Sequence, residues 1–349
     1  MDTDKNIELI KFAVVGCGHI GKRHARTIGL HPEAELVALC DIVGEEKLNI
    51  DEFELPFFEG IEAMLSSGIE VDVICICTPN GYHTEQCIQA LEAGKHVVCE
   101  KPMGLQKSDC EQVIHKALTV GRQVFCVMQN RYSPPAVWLK ELIEKKVLGN
   151  IHAVQLNCYW NRDDRYYLNE GQQHAWHGTI QQDGGPLFTQ FSHYVDLMYW
   201  LFGDIDAVQA RFENFTHHHS TEFEDTGLVT FRFLKGGIGS LNYSTAIWGK
   251  NMETSITVTG SKGSVRVGGQ YMDKVEYCHI ADYEMPTLQA VNPANDYGTY
   301  KGSANNHGYV FENVIDVLKN RTTITTNALE GMKVVEIIER IYALRSANF

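Results

Sequence analysis

Two separated segments carry side chains suited to moving a hydride and a proton. Glu100-Lys101-Pro102 puts an ammonium group at the end of a short apolar run, His96 to Glu100. Pro102 would fix the turn that aims it. The stretch from Asp183 through Gly184-Gly185-Pro186 to His193 and Asp196 brings an imidazole onto a predicted helix. Oxidation of an alcohol needs a base for the hydroxyl proton and a partner for the developing alkoxide. His193, with an ordinary pKa near ~6.5, suits the base at neutral pH. Lys101, starting near ~10.4, suits the electrostatic and hydrogen-bonding partner of the oxygen, and the reverse assignment stays open. At ~100° per residue, Thr189, His193, Asp196 and Trp200 share one helix face.

The hydride needs an acceptor, and Gly16-Cys17-Gly18-His19-Ile20-Gly21 predicts where it binds. The pattern follows an apolar strand and opens a helix. In that context Gly16 makes the tight turn, Gly18 lets the main chain approach a pyrophosphate, and Gly21 allows close helix–strand packing. The anion would sit at the helix N-terminus. Asp41 ends the second strand, about 20 residues on, where a carboxylate accepts from ribose hydroxyls. Ile42 and Val43 follow, with no Arg for a 2′-phosphate, which favours NAD over NADP. Thr78-Pro79-Asn80 lies at the end of another strand, beside the same crevice.

These residues need a scaffold, and the first 130 positions alternate strand and helix. Strands are expected at Lys11–Val15, Glu35–Cys40, Val71–Thr78, His96–Glu100 and Gln123–Met128. Helices are expected at Ile20–Leu30, Ile61–Ser66, His83–Ala93 and Ser108–Val120. Such alternation means a doubly wound parallel sheet with helices on both faces. After Pro134-Pro135 and one helix, longer alternating runs predict a largely antiparallel sheet. Helices from Gly184 to Phe202, His307 to Lys319 and Ala328 to Arg345 should cover one of its faces. The expectation is an α/β chain of two domains, 1–130 for NAD and 131–349 for substrate and oligomerisation.

Composition narrows the function. The chain has 349 residues, 44% hydrophobic and 21% charged, with net charge −14. That acidity argues against nucleic acid and against anionic lipid as partners. An acidic start, Met1-Asp2-Thr3-Asp4, and scattered cysteines fit reduced thiols in a cytoplasmic protein. His217-His218-His219 reads as a solvated loop, because three consecutive side chains on an extended chain cannot converge on one metal ion. No metal is expected. Cys75 and Cys77 read as core, and Trp160 as core or as a wall for a sugar.

The order of these segments resembles the Gfo/Idh/MocA family of sugar and inositol oxidoreductases. The matching pieces are the glycine turn, Thr78-Pro79-Asn80 with His83, Glu100-Lys101-Pro102, and Asn130-Arg131-Tyr132. The resemblance implies a Rossmann domain, then an open, mostly antiparallel sheet, and homo-oligomers (dimer or tetramer) in which such sheets pack face to face. It implies NAD contacts at Gly16, Gly18, His19, Ile20, Gly21, Asp41, Thr78, Pro79, Asn80, His83, Glu100, Lys101 and Asn130. The family's His in the substrate helix matches His193, while Thr189 stands where an Asp is common.

Leu187 to His193, Met198 to Ile205, Asn157 to Arg162, Tyr166-Tyr167 and Trp176 to Thr179 are similar to the bacterial UDP-N-acetyl-glucosaminuronate 3-dehydrogenases of O-antigen synthesis. That implies a nucleotide-sugar substrate against Lys101, Arg131, Arg162, Tyr166, Trp176, Thr189 and His193. Its ketone product would pass to an aminotransferase, with 2-oxoglutarate able to recycle bound NADH. Arginines suit its phosphates and carboxylate through their planar fork, and Arg165 and His177 lie nearby in sequence. The alternatives are a dehydrogenase of a free sugar or inositol, and a non-catalytic NAD(H) sensor.

Overall fold

The computed structural model describes residues 8–169, 172–173, 176–296, 298 and 300–345. The acidic start at Met1–Asp4 lies outside them. The chain divides into two compact units.

The first unit is built on six parallel strands in the order β3-β2-β1-β4-β5-β6. They are β1 (Ile10–Val15), β2 (Ala34–Cys40), β3 (Phe57–Phe58), β4 (Val73–Ile76), β5 (His96–Cys99) and β6 (Val124–Cys126). Helices α1 (His19–Gly29), α2 (Ile61–Ser66), α3 (His83–Glu92) and α4 (Lys107–Val120) make the crossovers. Every residue of β4 is buried, as a strand covered on both faces requires. The strand order reverses between β1 and β4. Open α/β sheets bind ligands at the carboxyl ends of strands at such a point. The doubly wound sheet is therefore as expected, with β3 an addition too short to read.

The second unit opens with α5 (Pro134–Glu144), whose prolines occupy the first helical positions. Its sheet has seven strands in the order β10-β11-β12-β7-β13-β14-β15. They are β7 (Ile151–Tyr159), β10 (Ile205–Glu213), β11 (Thr226–Phe233), β12 (Ile238–Ser244), β13 (Glu253–Gly260), β14 (Gly263–Gly268) and β15 (Lys274–Ile280). All neighbours run antiparallel except β12 and β7. In β11, Val229, Phe231 and Phe233 are buried, and Leu228, Thr230 and Arg232 between them are exposed. That period of two turns one face to the core.

Smaller pieces complete the unit: α6 (Asp164–Tyr167), the β8 (Leu168–Asn169) and β9 (Gln172–Gln173) pair, α7 (Pro186–Thr189), α8 (Ser192–Phe202), and β16 (Ala294–Asp296) with β17 (Lys301–Ala304). Rings from α8 and α10 (Ala328–Tyr342) cover the inner face. Phe202 meets Phe233 at 5.3 Å, and Tyr342 meets Phe212 at 6.1 Å.

Two expectations need correction. The chain does not divide once at 130/131, because His307–Met332 returns to the first unit. Helix α9 (His307–Leu318) therefore does not cover the antiparallel sheet. Its Phe311 packs edge-on against Phe12 of β1 at 5.8 Å and His24 of α1 at 5.0 Å. The segment after it continues onto β6, where Cys126 N–H donates to Thr326 O at 2.9 Å.

The second correction concerns the substrate helix, which is two helices. Phe191 N–H skips a residue to reach Pro186 O, five positions back, and α8 restarts from Phe191. The break puts the Phe191 ring into the core against Trp160 at 5.4 Å and Tyr243 at 5.9 Å. Among the described residues no helix is long and apolar enough to cross a membrane.

Candidate active site

In the first unit, the turn after β1 is shaped for close approach. Gly16 has φ +90, and a Cβ there would lie 2.7 Å from the Cys77 carbonyl carbon and oxygen. A Cβ on Gly21 would run into the Gly16 carbonyl oxygen. Gly18 differs from both: its φ is −68, and a Cβ would meet nothing within 4 Å. Nothing in the chain itself forbids a side chain at 18. The open space lies at the N-terminus of α1, where no side chain caps the free N–H groups and the first turn holds no acid. That is the cradle a pyrophosphate fills, so the residues present fit a dinucleotide. Asp41 is at the end of β2, as expected. Its carboxylate also accepts from Cys17 N–H at 2.6 Å and Val43 N–H at 2.9 Å, tying the turn to the strand.

The turns after β4 and β5 are cross-braced. Thr78 donates its hydroxyl to Gln86 Oε1 at 2.5 Å, and Asn80, itself buried, opens a 3-10 turn. His83, expected against the cofactor, is buried with Nδ1 2.7 Å from Pro102 O and Nε2 2.8 Å from Thr78 O. Burial lowers its pKa from the ordinary imidazole value. A neutral ring donates to only one of those carbonyls at a time. His83 thus clamps the two turns together.

Glu100 is likewise held by partners within the first unit. Its Oε1 accepts from His24 Nε2 at 2.9 Å, and its Oε2 accepts from Lys101 N–H at 3.1 Å. His307 Nε2 stands 3.6 Å from Oε1. Burial works to raise the Glu100 pKa, but the His24 hydrogen bond and the neighbouring His307 hold it well below the carboxylate range. Two imidazoles and a carboxylate are metal-ligand types. Here, however, His24 and Glu100 already lie at hydrogen-bond distance from each other. Cys77, read as plain core, lies with Sγ 3.3 Å from His24 Nδ1.

In the second unit, His193 is buried near the start of α8. Thr189 ends α7, so the shared helix face drawn from uniform 100° steps does not hold across the break. Asp196 is not offered to a ligand: it takes Arg131 Nε at 2.8 Å and Nη2 at 2.5 Å, both side chains 1% exposed. Arg131, expected as an anion receptor, is neutralised by this pair. Asn130 lies beside it in the buried turn from Gln129 to Tyr132.

Arg162 has the opposite character. Its guanidinium carbon lies 4.8, 5.3 and 4.9 Å from the Trp160, Tyr166 and Tyr300 rings. It donates to Asn161 O, Asn251 Oδ1 and Lys301 O. Among the described residues no carboxylate cancels its charge. Tyr166 stacks on His177 at 4.3 Å and accepts from Gln190 Nε2 at 2.9 Å. Trp176 packs its half-buried ring edge-on to His177 at 3.8 Å.

Arg165 is neutralised by exposed Asp163 at 2.6 Å. Trp160 is core, with Nε1 donating to Thr254 Oγ1 at 2.8 Å. The histidine triplet is not wholly solvated: His217 is buried against Asp225 at 3.1 Å.

Residues 10–127 match the profile of an oxidoreductase family with an NAD-binding Rossmann fold, and residues 137–266 match the GFO/IDH/MocA C-terminal domain. The WlbA dehydrogenase from Bordetella pertussis, solved with NADH and UDP-GlcNAcA, is 32% identical, with TM-score 0.85 over 96% of each chain. The chain belongs to the Gfo/Idh/MocA family. It is an NAD-dependent oxidoreductase.

A second family member, the WlbA dehydrogenase from Chromobacterium violaceum in complex with NADH and UDP-GlcNAcA, is 31% identical. It has TM-score 0.85 over 97% of this chain and 94% of its own. The 2,7-anhydro-N-acetylneuraminate hydratase of Escherichia coli is 26% identical over 266 residues, 75% of this chain and 68% of its own. Within the Gfo/Idh/MocA frame, Thr189 stands at the position expected of an Asp, yet a carboxylate is present. Asp183, fully buried, accepts from the Thr189 hydroxyl and from Gly178 N–H at 2.9 Å. Sequence reading passes over Gln190 and His24, takes Cys77 as core, and gives Asp183 no role beyond heading the substrate stretch. Only the glycine-bounded Asp183 carried a local signal.

Proposed function

We propose that this protein oxidises the C3 hydroxyl of UDP-N-acetyl-glucosaminuronate to a ketone. The near-complete overlap with two dehydrogenases solved with NADH and UDP-GlcNAcA carries the reading. The cradle at Gly18 supports it from this chain's own geometry.

NAD, when bound, supplies the acceptor for the hydride leaving C3. The Gly16–Gly21 turn and Asp41 hold the pyrophosphate and ribose. Thr78, Pro79, Asn80 and Asn130 line the nicotinamide side. His193 takes the hydroxyl proton, and Lys101 donates to the same oxygen as negative charge builds on it. One C–H and one O–H bond break, one C=O π bond forms, and the hydride and proton leave separately. Arg162 supplies uncancelled positive charge for the substrate's anionic groups, with Tyr166, Trp176 and Thr189 around the sugar.

The product ketone suits an aminotransferase, and 2-oxoglutarate would return bound NADH to NAD. The exposed face of the seven-stranded sheet, with Leu228, Ile238 and Tyr277, would meet a second copy in a cytoplasmic homo-oligomer.

The test is NADH formation on a substrate panel. UDP-N-acetyl-glucosaminuronate should turn over, and removing UDP should abolish turnover. Comparable rates on a free uronate or myo-inositol would replace the reading with a free-sugar dehydrogenase. Tight NADH binding without turnover of any sugar would leave a sensor.

A further inference from the structure

Helix α1 and the turns after β4 and β5 share one buried hydrogen-bond chain. His24, one turn into α1, is fully buried. An ionised carboxylate only accepts, so Nε2, 2.9 Å from Glu100 Oε1, carries the ring proton. Nδ1 is the other polar atom of the ring. It lies 3.3 Å from Cys77 Sγ, a thiol that burial keeps protonated. The chain ends where Glu100 Oε2 accepts from the main-chain N–H of Lys101 at 3.1 Å. The His24 ring is packed from two sides, by Phe311 at 5.0 Å and His307 at 5.6 Å.

We propose that His24 is a positioning residue for Lys101. It holds the Glu100 carboxylate where the second oxygen fixes the Lys101 main chain, and so aims the ammonium. The inference rests on the catalytic role given to Lys101 above. It also joins the helix that receives the dinucleotide to the lysine that meets the substrate, by hydrogen bonds rather than by packing alone. A carboxylate with both oxygens engaged has one orientation. Without His24, Oε1 keeps only the more distant His307 Nε2, 3.6 Å away, in a buried site, and the side chain is freer to turn away from the Lys101 peptide.

The experiment uses the full-length chain with His24→Leu, His24→Gln and His24→Asn. Leucine fills the space without donating. Glutamine's amide can reach Glu100, and asparagine's falls short. Melting temperature, NADH Kd, and kcat and KM on the sugar nucleotide are measured. His24→Leu should lower kcat about tenfold or more while NADH Kd and substrate KM change less than about threefold. Glutamine should recover most of the rate and asparagine should not. Equal kcat for leucine and wild type, or for glutamine and asparagine, overturns the proposal.

If the leucine variant does not fold, the two amides decide on the same terms. A substrate-independent reading is the rate at which acetic anhydride labels Lys101 in the NADH complex, followed by mass spectrometry. It should change in His24→Asn, and an unchanged rate counts against the proposal. Lys101→Ala separates the two levels. If it turns over normally, the proposed function falls. If it is dead while His24→Leu is fully active, only the positioning role falls.

Discussion

The hydroxyl of Thr189 reaches back six positions to Asp183, meeting both its carboxylate and its carbonyl oxygen, the latter at 2.9 Å. The pair fastens the end of α7 to the loop that precedes it. Thr189→Val would leave a fully buried carboxylate oxygen short of a donor. The expected cost is about 1–3 kcal/mol of unfolding free energy, and Thr189→Ser should retain most of the stability. Urea denaturation measures both. Equal stability for valine and serine would mean the hydroxyl contributes nothing.

Arg131 and Asp196 predict a large, asymmetric effect. Arg131→Met strands a buried carboxylate and should destabilise the fold by about 3–5 kcal/mol. The double variant Arg131→Met/Asp196→Leu removes both charges and should be more stable than the single one. A double variant no better than the single would show that burial of the carboxylate is not what costs.

Two glycines of one motif should respond differently. Gly18→Ala adds a methyl group to open space at an ordinary φ. It should leave the melting temperature unchanged and weaken NADH binding about tenfold or more, since the methyl occupies the ligand's place. Gly21→Ala collides with the Gly16 carbonyl and should lower the melting temperature as well. Undiminished NADH affinity in Gly18→Ala would remove the pyrophosphate from this spot.

Acid should weaken the protein before its carboxylates titrate. Burial, outweighing the pull of Glu100, lowers the His307 pKa to about 4. The unfolded chain takes up that proton near pH ~6.5, and the native state does not. Stability present above pH ~6.5 is therefore lost as pH falls toward about 4, by at most about 1.4 kcal/mol per pH unit. A second loss follows below pH ~4, where Asp225, held at about 2 by His217 and Thr216 against the effect of burial, must protonate. Denaturant titrations at several pH values should give a slope in the first window that His307→Gln flattens.

The alternation of apolar strands with amphipathic helices, the glycine turn and the hairpin strands were legible because each is written within a few residues. What was not legible depends on partners far away in sequence. The run 307–319 has a helical period, but a period does not say which sheet its apolar face covers. Arg131 looked like an anion receptor because Asp196, which cancels it, lies 65 positions on. Gly184 to Phe202 read as one helix because no Gly or Pro marks the break at Gln190-Phe191. The cause is Phe191 turning into the aromatic core of the sheet. His24 and Cys77 carry no local mark of their joint role, since an apolar strand and an amphipathic helix accommodate both as filler.

The return of His307–Met332 bears on how the protein is made. A nascent chain that has emerged only as far as β6 has Phe12 and His24 without Phe311, and Cys126 without the carbonyl of Thr326. The dinucleotide-binding half must wait for the ribosome to complete every strand of its neighbour, so a gene fragment stopped at Val127 should yield material that is neither stable nor able to bind nucleotide.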